Sequence, residues 1–377
     1  MTPSLLIFID HFRPGYRFGG PIPAVENLIG LLRDQYDLFI VTRDRDAGDT
    51  APYPDLTTGE WLNRDGYHVL YLPPDQITFC RVGQLLSERP EAMVYTNSLF
   101  SVFTRLLLLN SFLMKRLLTV APRGELLPGA IRLKAWKKEP YVQLLRWLMT
   151  DQLRWHATSI HEKQEILYWL GVGNKQVVVA PDLPIRLSPR PPHYKQAKQL
   201  RLIWLARIAR NKGLLFLLDC LEQVPEGVTL TIYGPVVDER YWQACLQRIC
   251  ASRHRIVYRG DVMPTAVRDT LVPYDFLVMP TSGENFGHGI AEALSVGLPV
   301  LISDQTPWQH LYEQRAGWNL PLHTDRWVDV LTNCLDMGPI AYIERAIGAR
   351  TVLDRIFDRS AALAQYQQLF SPVSAPL

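Results

Sequence analysis

The sequence predicts an α/β protein built as two doubly wound domains facing each other across a cleft, and three observations carry that expectation. Its 377 residues exceed what a single hydrophobic core usually organises. Short apolar runs alternate with longer segments of helical period, the pattern of parallel strands joined by crossover helices. The alternation is interrupted once, between Pro181 and Lys198, where five prolines and few aliphatic residues read as a linker. The composition, 47% hydrophobic and 20% charged, is that of an ordinary globular chain and excludes extensive disorder.

In the first half, Ser4–Ile9 (SLLIFI) reads as a buried strand followed by a Gly/Pro-rich loop. A helix begins at Pro21 and Pro23, which suit the first helical turn, and carries Val25, Leu28, Ile29 and Leu32 on one stripe. Further strands are expected at Leu38–Val41, His68–Leu72, Met93–Tyr95, Leu117–Val120, His156–Ser159 and Val177–Ala180. After the linker the pattern restarts. Strands are expected at Leu200–Leu205, Val228–Tyr233, Ile256–Tyr258, Phe276–Met279 and Pro299–Ile302. Helices are expected at Gly213–Leu221, Tyr241–Cys250 and Gly287–Val296, with a last one over Arg355–Phe370. The expected organisation is residues 1–183, then 184–354, then a C-terminal helix in 355–377 packing back on the first domain. In such sheets ligands bind at the carboxyl ends of the strands.

Other features narrow the function. The five cysteines are scattered, with no C-x-x-C pair and no histidine cluster, so neither a disulfide framework nor a zinc site is expected. No secretory leader is expected, because Met1 leads directly into a strand-like segment and Asp10. The most apolar stretch, Leu99–Ala121, contains Arg105, Lys115 and Arg116, so no bilayer span is expected. The chain is expected in the cytoplasm. A net charge of +3 carries no message about nucleic acid.

The chemistry concentrates in Pro280–Val300, PTSGENFGHGIAEALSVGLPV. A strand ends in a loop bearing Glu284 and Asn285, and a helix begins near Phe286 or Gly287 with Glu292 inside it. Glycines at 283, 287 and 289 allow close approach to the backbone. Free amides at a helix start suit phosphate oxygens. Carboxylates accept hydrogen bonds from sugar hydroxyls, although on their own Glu284 and Glu292 read equally well as a loop acid and a surface residue.

Glu284-x7-Glu292 followed by A-L-S-V-G-L-P-V resembles the signature of the retaining family-four glycosyltransferases of the GT-B fold. Gly19-Gly20 after the first strand, Arg207 and Lys212 in LARIARNKG, Tyr233-Gly234, and the tract Val257–Val262 fall in that family's order. The resemblance implies a nucleoside diphosphate sugar as donor. Arg207 and Lys212 would neutralise the diphosphate without a metal or other cofactor, with Glu284 completing the catalytic set. Glu292 would bind the ribose, Glu284 the transferred sugar, and the amides of Phe286 and Gly287 the phosphates. Gly20 would touch the diphosphate from the first domain, and Arg259, Gly260 and Val262 would flank the base.

The chain also departs from the family pattern. Where a His-Gly pair is usual it has Pro122-Arg123-Gly124-Glu125-Leu126, and Pro181-Asp182-Leu183 replaces Pro-Asn-Gly. His11, Arg123 and Glu125 are the acceptor-side candidates; for Arg123 and Glu125 a structural ion pair is an equal expectation, and for His11 a structural role. The APRGELLPGAIRLKAWKK stretch resembles a subgroup that assembles bacterial surface polysaccharides. Asp44-Arg45-Asp46, a D-x-D string of the kind that holds metal-diphosphates in another glycosyltransferase fold, is read here as a solvated turn. His288 is open between a ligand contact and a structural role.

From Ser101 to Ser159 the chain carries ten basic residues against three acidic ones, with Trp136 and Trp147 among them. This suggests attachment to an anionic membrane surface, against the plainer reading of a solvated helix face with its aromatics in the core. The expected activity is retaining hexosyl transfer to a hydroxyl of a glycan or lipid-linked acceptor in polysaccharide or glycolipid synthesis. The alternatives are a nucleotide-sugar epimerase on the same scaffold and a non-catalytic protein of the same fold. A dinucleotide oxidoreductase lacks its G-x-G-x-x-G after the first strand.

Overall fold

The structure, a computed structural model, describes residues 2–127, 130, 131, 135–147, 152–191 and 193–371. It divides into two compact units, Met1–Leu183 with Arg359–Leu377, and Pro184–Asp358.

The first unit is built on strands β1 (Ser4–Phe8), β2 (Asp37–Arg43), β3 (Trp61–Arg64), β4 (Tyr67–Leu72), β5 (Met93–Asn97), β6 (Leu118–Ala121), β7 (Leu153–Ala157) and β8 (Val177–Val179). Their order in the sheet is β3-β4-β2-β1-β5-β6-β7-β8. All pairs are parallel except β3 with β4. Helices α1 (Pro21–Leu32), α2 (Phe79–Glu88), α3 (Val102–Met114), α4 (Ala135–Trp147) and α5 (Ile160–Leu170) make the crossovers. Because helices cover both faces, the central strand is apolar on both sides. Leu6 and Phe8 join one core with Val82, Phe103 and Ile166, while Leu5 and Ile7 join the other with Val25 and Leu28.

The second unit restarts the plan with β9 (Leu200–Leu205), β10 (Val228–Tyr233), β11 (Arg255–Tyr258), β12 (Phe276–Met279), β13 (Val300–Ser303) and β14 (Gly317–Leu320). The sheet order is β11-β10-β9-β12-β13-β14, parallel throughout. Its helices are α6 (Leu214–Leu221), α7 (Glu239–Ala251), α8 (Val267–Leu271), α9 (His288–Val296), α10 (Thr324–Asp336) and α11 (Pro339–Ile356). Leu202 and Trp204 of β9 point into one core and Ile203 into the other.

Three local expectations need correction, for one strand, for the two sheet edges and for the last helix. The strand expected at 156–159 lies at Leu153–Ala157, because the Ser159 hydroxyl caps α5 by accepting from the Glu162 amide at 3.1 Å. The most apolar stretch is largely α3, whose inner face (Phe103, Thr104 and Leu107) is buried. Strands β3 and β14 add sheet edges that the apolar pattern did not mark. The last helix is two: α11 ends at Ile356, Phe357 is extended, and α12 (Arg359–Phe370) follows. Within the first unit α12 buries Tyr366, Leu369 and Phe370. The Arg154 guanidinium donates to the Leu369 carbonyl at 2.6 Å and the Tyr366 hydroxyl to the Pro181 carbonyl at 3.3 Å. Among the described residues no helix is long and apolar enough to cross a membrane.

Candidate active site

In the second unit the parallel sheet sends the loops after β9, β10, β11 and β12 to one edge, and the donor-binding residues expected in this unit lie on the β9, β11 and β12 loops, with Glu292 in α9. The β9 and β12 loops are bound to each other. The Asn211 carbonyl accepts from the Ser282 amide at 2.8 Å and the Thr281 hydroxyl at 2.9 Å. Between them, Gly213 has φ +77°, and a Cβ there would stand 2.0 Å from the Pro280 carbonyl oxygen. Only glycine allows this approach.

That staple brings two of the proposed residues together. Lys212, largely buried, forms an ion pair with Glu284 across the two loops. Arg207 lies exposed just beyond β9, with no partner among the described residues. Lys212 and Glu284 thus form a preset cation–anion pair, suited to a ligand carrying both phosphate and hydroxyl groups, and Arg207 is a further cation on the same β9 loop.

The remaining loop residues follow. Gly287 caps α9 with φ +83°, so the helix starts at His288. Asn285 and Phe286 precede that cap, and the Phe286 ring is buried. Glu292 sits in the second turn of α9, half-buried. His288 packs its ring 4.7 Å from that of Phe286. Beyond β11, Arg259 is exposed, and the Gly260 carbonyl accepts from the Gly234 amide at 2.9 Å, which joins the β10 and β11 loops; Val262 is half-buried in the same loop.

The first unit's residues have local explanations. Gly19 and Gly20 lead into α1, with Gly20 at its cap. The loop ahead of them is held by Asp46, whose carboxylate accepts from the Tyr16 amide at 2.8 Å and the Arg17 amide at 3.2 Å. The Tyr71 hydroxyl donates to the Arg13 carbonyl at 2.5 Å and the Tyr53 hydroxyl to the Phe12 carbonyl at 3.2 Å. Asp44 and Asp46 are only 2% and 4% exposed, so the D-x-D string is not a solvated turn: Asp44 pairs with Arg45, and Asp46 clasps the glycine loop. His11 shares its Nδ1 with the Arg45 carbonyl at 2.9 Å and packs against Phe18.

Arg123 and Glu125, named for the acceptor side, are bonded inside the first unit. Arg123 forms an ion pair with Asp182, donates to Asn97 Oδ1 at 3.0 Å, and donates to the Tyr95 hydroxyl at 2.9 Å. Burial opposes its charge, but Asp182 prevails and raises the guanidinium's affinity for its proton. Tyr95 in turn donates to His156 Nδ1 at 2.7 Å, while His156 Nε2 donates to the Ala180 carbonyl at 2.8 Å. Burial and the nearby Arg123 push this histidine down to about 3 and keep it neutral. Glu125 accepts from the Ser98 hydroxyl at 2.7 Å and the Leu99 amide at 2.6 Å, and burial raises its carboxyl above the usual range. Sequence reading missed Asp46, Asn211 and Asp182 as structural partners. Only the aspartates carried a signal, as polar residues next to apolar runs.

With this geometry in view, residues 199–336 match the family model of the group 1 glycosyl transferases. The chain carries a glycosyltransferase domain. This glycosyltransferase has the GT-B fold, as its solved neighbours do. Anabaena HepE, solved with UDP and glucose, superposes with a TM-score of 0.73 at 17% identity, over 97% of this chain and 98% of that one. Sucrose-phosphate synthase from Thermosynechococcus elongatus gives 0.71 at 15%, over 98% of each chain. WaaG, a glycosyltransferase involved in lipopolysaccharide biosynthesis, gives 0.70 at 13%, over 97% of this chain and 100% of that one. No curated protein matches the sequence significantly.

Proposed function

We propose that this glycosyltransferase moves a hexose-type sugar, with retention, from a nucleoside diphosphate sugar to a hydroxyl of a glycan or lipid-linked acceptor in surface polysaccharide or glycolipid synthesis. The observation that carries the reading is the Lys212–Glu284 pair joining the loops at the carboxyl ends of β9 and β12, with Arg207 exposed on the same β9 loop. Lys212 and Arg207 neutralise the diphosphate as the bond to it breaks, Lys212 from a largely buried position where its charge is least screened. Glu284 accepts hydrogen bonds from the transferred sugar and Glu292 from the ribose. The Phe286 and Gly287 amides meet the phosphates, and Arg259, Gly260 and Val262 flank the base. The acceptor hydroxyl attacks the anomeric carbon on the face the phosphate leaves, and its proton passes to the departing phosphate oxygen. HepE's complexes with UDP and UDP-glucose, and WaaG's place in lipopolysaccharide biosynthesis, support the donor and pathway readings.

No divalent metal is required in this reading. Two cations are already at hand, and the aspartates of the D-x-D string are bonded to Arg45 and to the glycine-loop amides. A panel of nucleotides and nucleotide sugars, screened with EDTA present, is expected to raise the melting temperature for at least one member. A ligand at a hundredfold excess over its Kd adds about 2.7 kcal/mol to native-state stability. A flat response across the panel would remove the donor-binding reading.

The first unit also carries the features of a peripheral membrane protein. Trp136 and Trp147 are 74% and 86% exposed rather than in the core, and Phe112 and Leu113 at the end of α3 are exposed too. Arg105, Lys115 and Lys137 stand exposed in the same segment, while Lys134 lies outside the described residues. Each basic residue near an anionic surface contributes about 1 kcal/mol, and salt screens it. Co-sedimentation is expected with anionic vesicles and not with neutral ones, falling sharply in an Arg105→Glu/Lys115→Glu/Lys137→Glu variant. Equal pelleting with both lipids would make the segment a solvated face.

A further inference from the structure

The loop between β12 and α9, residues 280–287, has no ladder of its own to hold it. Besides the Ser282–Asn211 bond to the β9 loop, its backbone is fixed by the last residue of β13 and the chain that follows it. The Glu284 amide donates to the Gln305 carbonyl at 3.1 Å, the Ser303 hydroxyl donates to the Thr281 carbonyl at 2.5 Å, and the Trp308 indole N–H donates to the Phe286 carbonyl. Trp308 is 2% exposed. Its ring lies 5.5 Å from Phe286 and 5.6 Å from Phe357, and those two are 5.8 Å apart, so three rings pack as one cluster. Trp308 is itself held from β14: Asn319 donates to its carbonyl and accepts from the Leu311 amide at 3.0 Å.

The consequence follows from peptide geometry. The Phe286 carbonyl and the Gly287 amide belong to one planar trans unit and point in opposite directions. An indole that fixes the first therefore aims the second. The Gly287 N–H, at the cap of α9, has no acceptor among the described residues.

We propose that Trp308 is a positioning residue for sugar transfer: its indole N–H sets the Phe286–Gly287 peptide so that the Gly287 amide is pre-aimed at the donor's diphosphate. This rests on the donor reading above and deepens it. A pre-aimed donor needs no reorganisation as charge builds on the departing diphosphate, so its loss falls on the transition state more than on donor binding.

Trp308→Phe keeps a ring in the cluster and removes only the donor. In the full chain, kcat is expected to fall about tenfold and the KM for the donor to stay within about threefold, while the Kd for free nucleoside diphosphate weakens about tenfold. Phe357→Leu, which disturbs the same ring cluster but keeps the Trp308 indole N–H and its bond to the Phe286 carbonyl, is expected to lower the melting temperature by a comparable amount with kcat within about twofold. If Trp308→Phe does not fold, Asn319→Ala, which frees the Trp308 backbone from β14, is expected to lower kcat about threefold. An unchanged kcat in Trp308→Phe, or an equal fall in Phe357→Leu, would overturn the inference and leave the donor reading standing. A wild-type protein that binds no nucleotide would overturn both.

Discussion

Arg207→Ala and Lys212→Ala are each expected to lower sugar transfer by about 10²–10³-fold, the loss of about 2.7–4 kcal/mol of transition-state stabilisation that follows when an oriented electrostatic donor is removed. The two variants should differ in their other effects. Arg207 is exposed and unpaired among the described residues, so its removal leaves the melting temperature where it was. Lys212 is largely buried and paired with Glu284. Its removal leaves that carboxylate without its cation and loosens the link between the β9 and β12 loops. Initial rates with saturating donor, set beside thermal melts, separate the two. Turnover at the wild-type rate in both variants would make these residues ordinary surface bases and would withdraw the phosphate clamp.

Arg123→Ala is expected to destabilise the first unit by about 3–5 kcal/mol, the usual cost of leaving one member of a buried ion pair behind. Both side chains of the Arg123–Asp182 pair are about one-twentieth exposed. The variant would also strand Asn97 Oδ1 and remove a donor from the Tyr95 hydroxyl. Asp182→Leu in the same background should recover part of the loss, because the charge left unpaired goes with it. Urea unfolding followed by tryptophan fluorescence measures both. Additive single-variant effects would show that Arg123 and Asp182 are not energetically coupled. The pair matches the structural alternative expected for Arg123, while Glu125 is held separately by the Ser98 hydroxyl and the Leu99 amide. The two places where the chain departs from the family pattern, Arg123 and Asp182, are bonded to each other.

The sequence by itself determined the two-unit α/β plan, most strands of both sheets, and the glycine-bearing loops that follow β9 and β12. These rest on local signals. A strand buried on both faces is apolar where it is buried, as β12 is throughout and β1 and β9 are apart from Ser4 and Arg201, and a positive φ favours glycine, as at Gly213, beside the Pro280 carbonyl, and at Gly287. The hairpin of β3 and β4 was legible too, since Asp65-Gly66 between Arg64 and Tyr67 is a strong two-residue turn signal, but the polar strand Trp61–Arg64 obscured it. β14, with the sequence GWNL, had no such signal.

Only the tertiary structure decided which polar residues serve which purpose. Lys212 meets Glu284 across 72 residues, Arg123 meets Asp182 across 59, and Asp46 reaches Tyr16 across 30. Nothing local distinguishes an aspartate that will clasp a glycine loop from one left in water, or a tryptophan that will aim a peptide from one that fills a core. Asp46 and Trp308 gained those roles, and Trp136 and Trp147 were left exposed, because the sheet order sets which loops become neighbours. Hydrophobic period fixes what each segment is; the side-chain bonds that fix its function form only between segments that the fold has already brought within 3 Å or so of one another.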